Sequence, residues 1–269
     1  MKEFPALDEI AANSYLVPPF GLDDDSLFQF SQHILDFYAS YGRSFAWRET
    51  YDPYKILLSE VMLQQTQTSR VQPKYELFLS LWPTFKKLSD APLDQLLYHW
   101  KGLGYNRRAL NLKRSAQQTE RWGWTIPPDE KAARSLPGVG KATAAALMAF
   151  CYKKQSIYLE TNIRRVLLHS FYPDQEGVKD SVLEALLLRL ANIQEDMKQW
   201  YYALMDYGVL LKYLVPNANV RSAHYTKQSR FENSNRQIRG QLIHLLSDTG
   251  AKDVQHIISL LSHFDEERI

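Results

Sequence analysis

Two acidic residues stand where a carboxyl group could act as an acid or as an anionic stabiliser. Glu60 lies in segment 59–67 (SEVMLQQTQ), and Glu160 lies in segment 159–165 (LETNIRR). Two carboxyl groups whose surroundings separate their pKa values can divide these roles between them. Each residue also has a simpler interpretation: Glu60 as a solvated helix residue, and Glu160 as a partner of a helix N-terminal dipole. Taken by themselves, the two residues favour these simpler interpretations.

A glycine-rich turn offers a second functional feature, a place for phosphate. Segment 136–141 (LPGVGK) joins two predicted helices. Glycine lets the backbone turn tightly, so that N–H groups at the start of the next helix point outward. Leu136 and Val139 would anchor the turn in the core, and Lys141 would add a positive charge. The turn resembles the helix–hairpin–helix motif, which binds the DNA backbone without reading sequence; an ordinary glycine turn is the alternative.

The composition bounds the class of protein that must position these residues. The 269 residues are 45% hydrophobic and 23% charged, which excludes a disordered chain. No stretch approaches the roughly 20 apolar residues of a membrane helix. The first 21 residues lack the pattern of a signal peptide, so we predict a cytoplasmic protein, nucleoid-associated if bacterial. One cysteine, Cys151, cannot alone hold a zinc ion or an iron–sulfur cluster, and His224 and His244 lack partners at ligand spacing, so no metal site is predicted.

Helical periodicity runs through almost the whole chain and predicts an all-α fold. Asp25-Ser26 are expected to cap a helix that ends at Gly42, and Asp52-Pro53 to open a helix that runs to about Thr68. Further helices are predicted at about 71–81, 92–101, 106–122, 129–135, 140–152, 161–172, 178–192, 198–214, 235–247 and 252–263.

Basic residues concentrate in two stretches of a nearly neutral chain. With 32 Lys+Arg against 30 Asp+Glu, the total charge says little about partners. One patch between 105 and 121 contains Arg107, Arg108, Lys113, Arg114 and Arg121; the other, between 212 and 239, contains Lys212, Arg221, Lys227, Arg230, Arg236 and Arg239. A single patch would be interpreted as a solvated helix face. Two patches together with the hairpin favour a polyanionic partner.

Four segments together resemble a known family. Segment 59–67, with segment 47–55 (WRETYDPYK), segment 102–105 (GLGY) and the hairpin, is similar to the MutY-type adenine DNA glycosylases of the helix–hairpin–helix glycosylase superfamily. The similarity runs from about Tyr41 to Gly208 in the same order. It implies a two-lobed helical fold: a barrel domain at 53–158 with the hairpin, a second lobe from 22–52 plus 159–214, and a basic linker with a small helical appendage at 215–269.

The resemblance also implies a role for each matching residue. Glu60 would protonate the adenine ring of a flipped base, and Glu160, with Asn162 beside it, would stabilise the cationic sugar. The implied partner is double-stranded DNA with a mispair or lesion, bound by a monomer, and the implied activity is excision of adenine opposite guanine or 8-oxoguanine. The implied DNA-binding residues are Gln64, Gln65, Tyr105, Asn106, Leu136, Gly138, Val139, Gly140, Lys141 and Thr143. No cofactor is implied beyond a monovalent cation at the hairpin.

The chain departs from the family pattern at five places. Glu160 replaces the usual aspartate, and Asn106 replaces a tyrosine that relatives insert into the duplex. Ala142 stands where bifunctional relatives carry a lysine, which predicts base excision without strand cleavage. Lys212 stands where the first cluster cysteine would be, so no iron–sulfur cluster is expected. With about 55 residues after the shared region, we also expect no separate domain that reads 8-oxoguanine.

Two other functions stay open from the sequence. The first is a glycosylase for uracil, thymine or hypoxanthine, because pocket residues other than Glu60 cannot be identified from one sequence. The second is a duplex-binding module that kept the hairpin and lost the chemistry. The acids at positions 60 and 160 argue against the second.

Overall fold

The computed structural model describes residues 19–227, 232–249, 253–262 and 264. Within these residues the chain is helical and contains no β-strand, which confirms the all-α prediction. None of the helices in this described part is long and apolar enough to cross a membrane. The helices are α1 (Asp24–Tyr41), α2 (Pro53–Leu63), α3 (Thr68–Leu81), α4 (Phe85–Asp90), α5 (Leu93–Trp100), α6 (Arg107–Gln118), α7 (Glu130–Arg134), α8 (Lys141–Tyr152), α9 (Thr161–Phe171), α10 (Asp180–Ala191), α11 (Met197–Leu214), α12 (Asn235–Thr249) and α13 (Val254–Leu260), with short 3-10 helices at Ala46–Arg48, Thr119–Trp122 and Ala218–Arg221.

Aspartate caps start the first two helices. Asp23, rather than the predicted Asp25, caps α1, and its carboxylate accepts the backbone N–H of Ser26 at 2.9 Å. Asp52 caps α2, with Pro53 in the first turn as predicted. A cap satisfies an N–H group that has no partner within the helix, and proline at this position has no N–H to satisfy.

The structure differs from the prediction at the end of α2 and at α4. Helix α2 ends at Leu63 instead of near Thr68, because Gln65 has a φ of 55°, in the left-handed region that ends a right-handed helix. Helix α4 was not predicted; it begins after Thr84, whose hydroxyl oxygen accepts the N–H of Lys87 at 3.2 Å. Its six residues are too few to show a helical period in the sequence.

The described residues form two compact units. One unit contains the residues up to Tyr51 together with Lys141–Thr226, and the other contains Asp52–Gly140 together with the described residues from Lys227 onward. These boundaries differ from the predicted 53–158, 22–52 plus 159–214, and 215–269. Helix α8 belongs with α11, where the Phe150 ring stacks on Tyr202 with centroids 4.7 Å apart. The predicted appendage is divided, because residues 218–221 pack on α9 whereas α12 packs on α5.

Aromatic side chains fill the core of each unit. In the first unit Phe30 of α1 contacts Phe171 of α9 and Trp200 of α11, with ring centroids 4.8 and 6.2 Å away. In the second unit Phe78 of α3 contacts Trp100 of α5 edge-to-face at 5.7 Å. Burial of rings of this size supplies a large share of the hydrophobic stabilisation of each unit.

A buried ionic cluster stabilises the first unit. Asp206 of α11 has no exposed surface and receives hydrogen bonds from the guanidinium groups of Arg43 (2.6 and 2.8 Å) and Arg48 (2.7 and 2.8 Å). Burial acts to raise the pKa of Asp206, but the hydrogen bonds and charges of Arg48 and Arg43 outweigh it and hold that pKa below its usual value. Arg48 lies in segment 47–55, and the structure gives it this packing role.

We expect Asp206→Asn to lower the free energy of unfolding by about 3–5 kcal/mol, because it leaves two buried guanidinium charges uncompensated. Urea unfolding at neutral pH measures the loss. Since the folded-state pKa is lowered, this contribution is present above the unfolded pKa and disappears as pH falls through the folded value. Asp36→Asn, an exposed change on α1, is the matched control. Equal urea midpoints for both variants would contradict the assignment.

Candidate active site and nucleic-acid interface

Glu60 is buried in the second unit. It lies on α2 with 9% of its surface exposed, between Leu57 and Leu58, which are fully buried, and Val61, which is 4% exposed. The interpretation of Glu60 as a solvated helix residue is therefore wrong.

Arg108 connects the end of α2 to the turn before α6. Its Nη1 donates to the carbonyl oxygens of Val61, Met62 and Gln64 at 2.9, 2.8 and 2.5 Å. Its Nη2 donates to the Thr66 hydroxyl at 3.0 Å and to the carbonyl oxygens of residues 103 and 104 at 2.8 and 2.9 Å. These bonds satisfy carbonyl groups that the end of a helix leaves without intrahelical donors. Burial lowers the pKa of Arg108 to about 10.

This arrangement holds two exposed side chains in unusual backbone conformations. Gln65 has a φ of 55° and Tyr105 a φ of 48°, which are uncommon outside glycine. Gln65 is exposed, Tyr105 is 38% exposed, and Gln64 and Asn106 are half-buried. The sequence predicted these four residues as DNA-binding but gave no sign that Arg108 positions both segments.

The first basic patch is smaller than the sequence suggested. Arg108 is 8% exposed and bonded to carbonyl groups, and Lys113 donates to the carbonyl oxygens of Ser89 and Ala91 at 2.5 and 2.7 Å. Both therefore support the fold of the second unit. The exposed members of this patch are Arg107, Arg114 and Arg121. In the second patch Arg230 lies outside the described residues.

Of the two glycines in the hairpin turn, Gly138 occupies a position that requires glycine and Gly140 does not. Gly138 has a φ of 78°, and a Cβ atom there would lie 2.9 Å from Nδ2 of Asn111 on α6, so both its conformation and the close approach require glycine. Gly140 has no such constraint, since a Cβ atom there would meet open space. Leu136 and Val139 are 2% and 6% exposed and anchor the turn in the core.

Helix α8 follows the hairpin and belongs to the first unit. The ammonium group of Lys141, at its first residue, contacts Oε1 of Glu184 at 2.5 Å, and the Lys141 side chain is 53% exposed. An exposed ion pair of this kind is worth about 0–1 kcal/mol, so a phosphate can replace the glutamate at small cost. Thr143 of α8 is 8% exposed, and its role in DNA binding stays a prediction.

Glu160 caps helix α9 in the first unit. Its Oε1 accepts the backbone N–H groups of Asn162 and Ile163 at 2.8 and 2.9 Å, and its Oε2 accepts Nδ2 of Asn162 at 3.3 Å. Asn162 in turn accepts Nη1 of Arg165 at 2.9 Å through Oδ1. The carboxylate is thus fixed by three donors, two of them at the positive end of the helix dipole.

Burial and hydrogen bonding act on Glu160 in opposite directions. Removal from water raises the pKa of this carboxyl group above its ordinary value. The two backbone N–H groups and the charges of Arg165 and Arg164 lower it, but burial is the larger effect. The hydrogen-bond donors thus hold the ionised form of Glu160 in place, although burial makes its ionisation costly.

The glycine at position 208 on α11 leaves the space that Asn162 occupies. A Cβ atom at Gly208 would lie 2.4 Å from the carbonyl oxygen of Asn162 and 2.7 Å from its Cβ. The carbonyl oxygen of Gly208 also accepts Nη1 of Arg165 at 2.8 Å. From the other side, Nδ2 of Asn219 donates to the carbonyl oxygen of Thr161 at 3.2 Å. These supports come from distant parts of the chain, and the sequence did not predict them.

A family model matches the part of the chain that carries both carboxyl groups. Residues 58–192, half of the chain, match the HhH-GPD superfamily of base excision DNA repair proteins. The chain belongs to this superfamily. In chain order, the hairpin lies between the helix of Glu60 and the helix capped by Glu160.

Individual members of the superfamily resemble this chain over different lengths. An adenine DNA glycosylase of Buchnera aphidicola subsp. Baizongia pistaciae (strain Bp) is 35% identical over 190 residues, which are 68% of this chain and 52% of that protein. The chain thus spans about half the length of that relative. A thymine/uracil-DNA glycosylase of Methanothermobacter thermautotrophicus is 34% identical over 151 residues, 55% of this chain and 68% of that protein. The solved structure of a thermostable thymine-DNA glycosylase aligns with a TM-score of 0.60 and 28% identity, covering 68% of this chain and 85% of that one.

The residues of this superfamily member do not fit an iron–sulfur cluster. Such a cluster takes about four cysteine thiolates, and the sequence contains one cysteine. Cys151 lies half-buried on α8, and Lys212, at the position of the expected first ligand, is exposed on α11. Among the described residues, no three His, Cys, Asp or Glu side chains come together as a metal site.

Proposed function

We propose that this chain is a monofunctional DNA N-glycosylase that flips a mispaired base from duplex DNA and hydrolyses its N-glycosidic bond. Adenine opposite guanine or 8-oxoguanine is the proposed substrate, in line with the adenine DNA glycosylase relative. The observation that carries the proposal is the pair of acids at family-matching positions: Glu60 buried on α2, and Glu160 fixed as a helix cap by Asn162.

Glu60 is proposed as the acid. Its protonated carboxyl group donates a proton to a ring nitrogen of the flipped adenine. The bond between the sugar C1′ and the base nitrogen then breaks, and its electron pair stays with the base, which leaves as neutral adenine. What supports this role is the burial of Glu60 on α2, at the position to which the family resemblance assigns the acid.

Glu160 is proposed to stabilise the positive charge that develops on the sugar. Its ionised carboxylate provides a fixed negative charge that needs no reorganisation during the reaction, because Asn162 and the start of α9 already hold it. Water adds its oxygen to C1′ and releases a proton to the solvent, which completes the hydrolysis. Ala142 has no amine for a Schiff base with the sugar, so strand cleavage does not follow.

The proposed DNA contacts come from the hairpin and from the two segments that Arg108 holds. Backbone N–H groups after Gly138 and the charge of Lys141 would bind phosphate, and exposed Gln65 and Tyr105 would contact the duplex. We further propose that the chain acts as a monomer without an iron–sulfur cluster, and that a monovalent cation binds at the hairpin.

The test is a panel of labelled duplexes that each contain one mispair: adenine opposite guanine, adenine opposite 8-oxoguanine, thymine or uracil opposite guanine, and hypoxanthine opposite thymine. With enzyme in excess, alkali-cleavable product measures base excision, and omission of alkali measures strand cleavage. We expect the fastest excision from the two adenine duplexes and no cleavage without alkali. Binding to every duplex without excision from any would contradict an enzymatic function.

A thymine/uracil glycosylase is the second candidate. It is supported by the Methanothermobacter relative, of which this chain covers 68%, and by the structural similarity to a thymine-DNA glycosylase. In the same panel, faster excision of thymine or uracil than of adenine would establish this candidate and overturn the first.

A further inference from the structure

A short segment after helix α11, residues 217–223, packs on helix α9 within the first unit. Its position is fixed by hydrogen bonds to two other parts of that unit. Val178, before α10, donates its N–H to the carbonyl oxygen of Arg221 and accepts the N–H of Ala223, both at 2.9 Å. The Arg221 guanidinium donates to the carbonyl oxygen of Leu168 on α9 at 3.1 Å. These bonds hold the 217–223 segment against α9.

Asn219 of this segment reaches the first peptide group of α9 through its side-chain amide. It is 6% exposed, and its Nδ2 donates to the carbonyl oxygen of Thr161 at 3.2 Å. A carbonyl oxygen only accepts, so this contact requires the amide nitrogen to face Thr161. Oδ1 of Asn219 is then buried and accepts no hydrogen bond from the residues that the structure describes. An acceptor in this state is unfavourable for stability, so stability alone does not explain an asparagine here.

The carbonyl group that Asn219 contacts shares its peptide unit with an N–H that holds Glu160. The peptide between Thr161 and Asn162 is planar, so its C=O and N–H point in opposite directions and move together. That N–H donates to Oε1 of Glu160 at 2.8 Å. A hydrogen bond received by the carbonyl polarises the peptide and strengthens the bond that its N–H gives. Asn219, the peptide and the Glu160 carboxylate therefore form one chain of hydrogen bonds.

The charged side chains that act on Glu160 lie on α9 itself. Burial raises the pKa of Glu160, and the charges of Arg165 and Arg164 lower it. Arg164 is paired with Asp180 of α10 at 2.8 Å. Arg221 of the 217–223 segment bonds a carbonyl oxygen toward the end of α9. The amide at position 219 is neutral, so its effect on the carboxylate passes through the peptide group.

We propose that Asn219 is a positioning residue for Glu160: by fixing the peptide between Thr161 and Asn162, it holds the carboxylate in its ionised, oriented form. This inference rests on the proposed glycosylase function, in which Glu160 stabilises the cationic sugar. The family resemblance assigns no role to Asn219, which lies beyond the matched residues. Loss of its donor weakens a hydrogen bond that favours ionised Glu160, so the pKa of that carboxyl group should rise.

The first measurement requires neither DNA nor catalysis. NMR of protein labelled with 13C at the glutamate carboxyl groups follows the titration of Glu160, and the signal that Glu160→Gln lacks identifies it. Asn219→Leu keeps a similar shape without the donor and should raise the measured pKa of Glu160 by about 0.5, since loss of one bond in a chain weakens the next by a fraction of its strength. Asn219→Asp is nearly isosteric and tests the same bond in a second variant. Its ionised carboxylate has no donor and adds a negative charge, so it should raise this pKa further.

Ser222→Ala is the matched control in the same segment. Ser222 is 7% exposed and its Oγ accepts the N–H of His224 at 3.2 Å, so the variant loses one hydrogen bond without touching the peptide at Thr161. It should leave the pKa of Glu160 unchanged. In single-turnover excision, the acid limb of the pH profile of Asn219→Leu should move up by the same 0.5, which lowers the rate on that limb about threefold. The profile of Ser222→Ala should coincide with that of the wild type.

An unchanged pKa of Glu160 in both Asn219 variants, or an equal rise in Ser222→Ala, would overturn the proposal and leave the 217–223 segment with a structural role alone. Absence of excision in the mispair panel would instead count against the glycosylase function, since the NMR titration is measured separately.

Discussion

Glu60→Gln is expected to slow single-turnover excision by at least about 10²-fold, the lower limit for loss of a general acid. Glutamine keeps the size and hydrogen-bonding capacity of the side chain but has no acidic proton to give to the departing base. The measurement uses enzyme in excess over a duplex with an adenine mispair, so that product release does not mask the chemical step. The dissociation constant for the duplex should stay near the wild-type value.

The matched control for Glu60→Gln is Glu76→Gln, an exposed change on α3 of the same unit. It should leave both excision and DNA binding unchanged. If Glu60→Gln excised adenine at the wild-type rate, the proton would have to come from another group, and the proposed assignment of Glu60 would be wrong.

Glu160→Gln should separate activity from stability. Loss of the negative charge should slow excision by about 10²–10³-fold, the range seen when one fixed electrostatic contact to a transition state is removed. Thermal stability at neutral pH should stay the same or rise, because the buried carboxylate is costly to keep ionised. The sign follows from the raised pKa: the ionised group disfavours folding above its folded-state pKa, and this penalty is relieved as pH falls through that value.

Glu160→Asp keeps the charge, and aspartate is also a good helix cap, so this variant should retain excision within about tenfold of wild type. The pH profile gives an independent check. Since excision needs ionised Glu160 and burial raises its pKa, the wild-type rate should begin to fall at a higher pH than an ordinary glutamate would give. A large loss of melting temperature in Glu160→Gln, or a pH profile unchanged by it, would indicate a merely structural cap.

The sequence determined the features that depend on neighbouring residues. Helical periodicity predicted most helices. Apolar residues that recur about every 3.6 residues lie on one face of a helix, and that face is the one that becomes buried. Asp52-Pro53 predicted the start of α2, and Gly138 predicted the hairpin turn, because caps and left-handed glycines act within a few residues. The family-like segments also identified Glu60 and Glu160, although the sequence alone could not distinguish a buried acid from a solvated one.

The tertiary structure decided how those residues are held. Arg108 reaches a carbonyl 47 residues away, Arg165 reaches Gly208 across 43 residues, and Arg48 reaches Asp206 across 158. In the sequence Arg108 looked like one member of a basic patch and Gly208 like an ordinary helix residue. The division into two units and the contact of Asn219 with α9 depend in the same way on which distant surfaces pack together. No local propensity encodes such contacts, since their energy comes from burial and hydrogen bonding between segments that the chain brings together only when it folds.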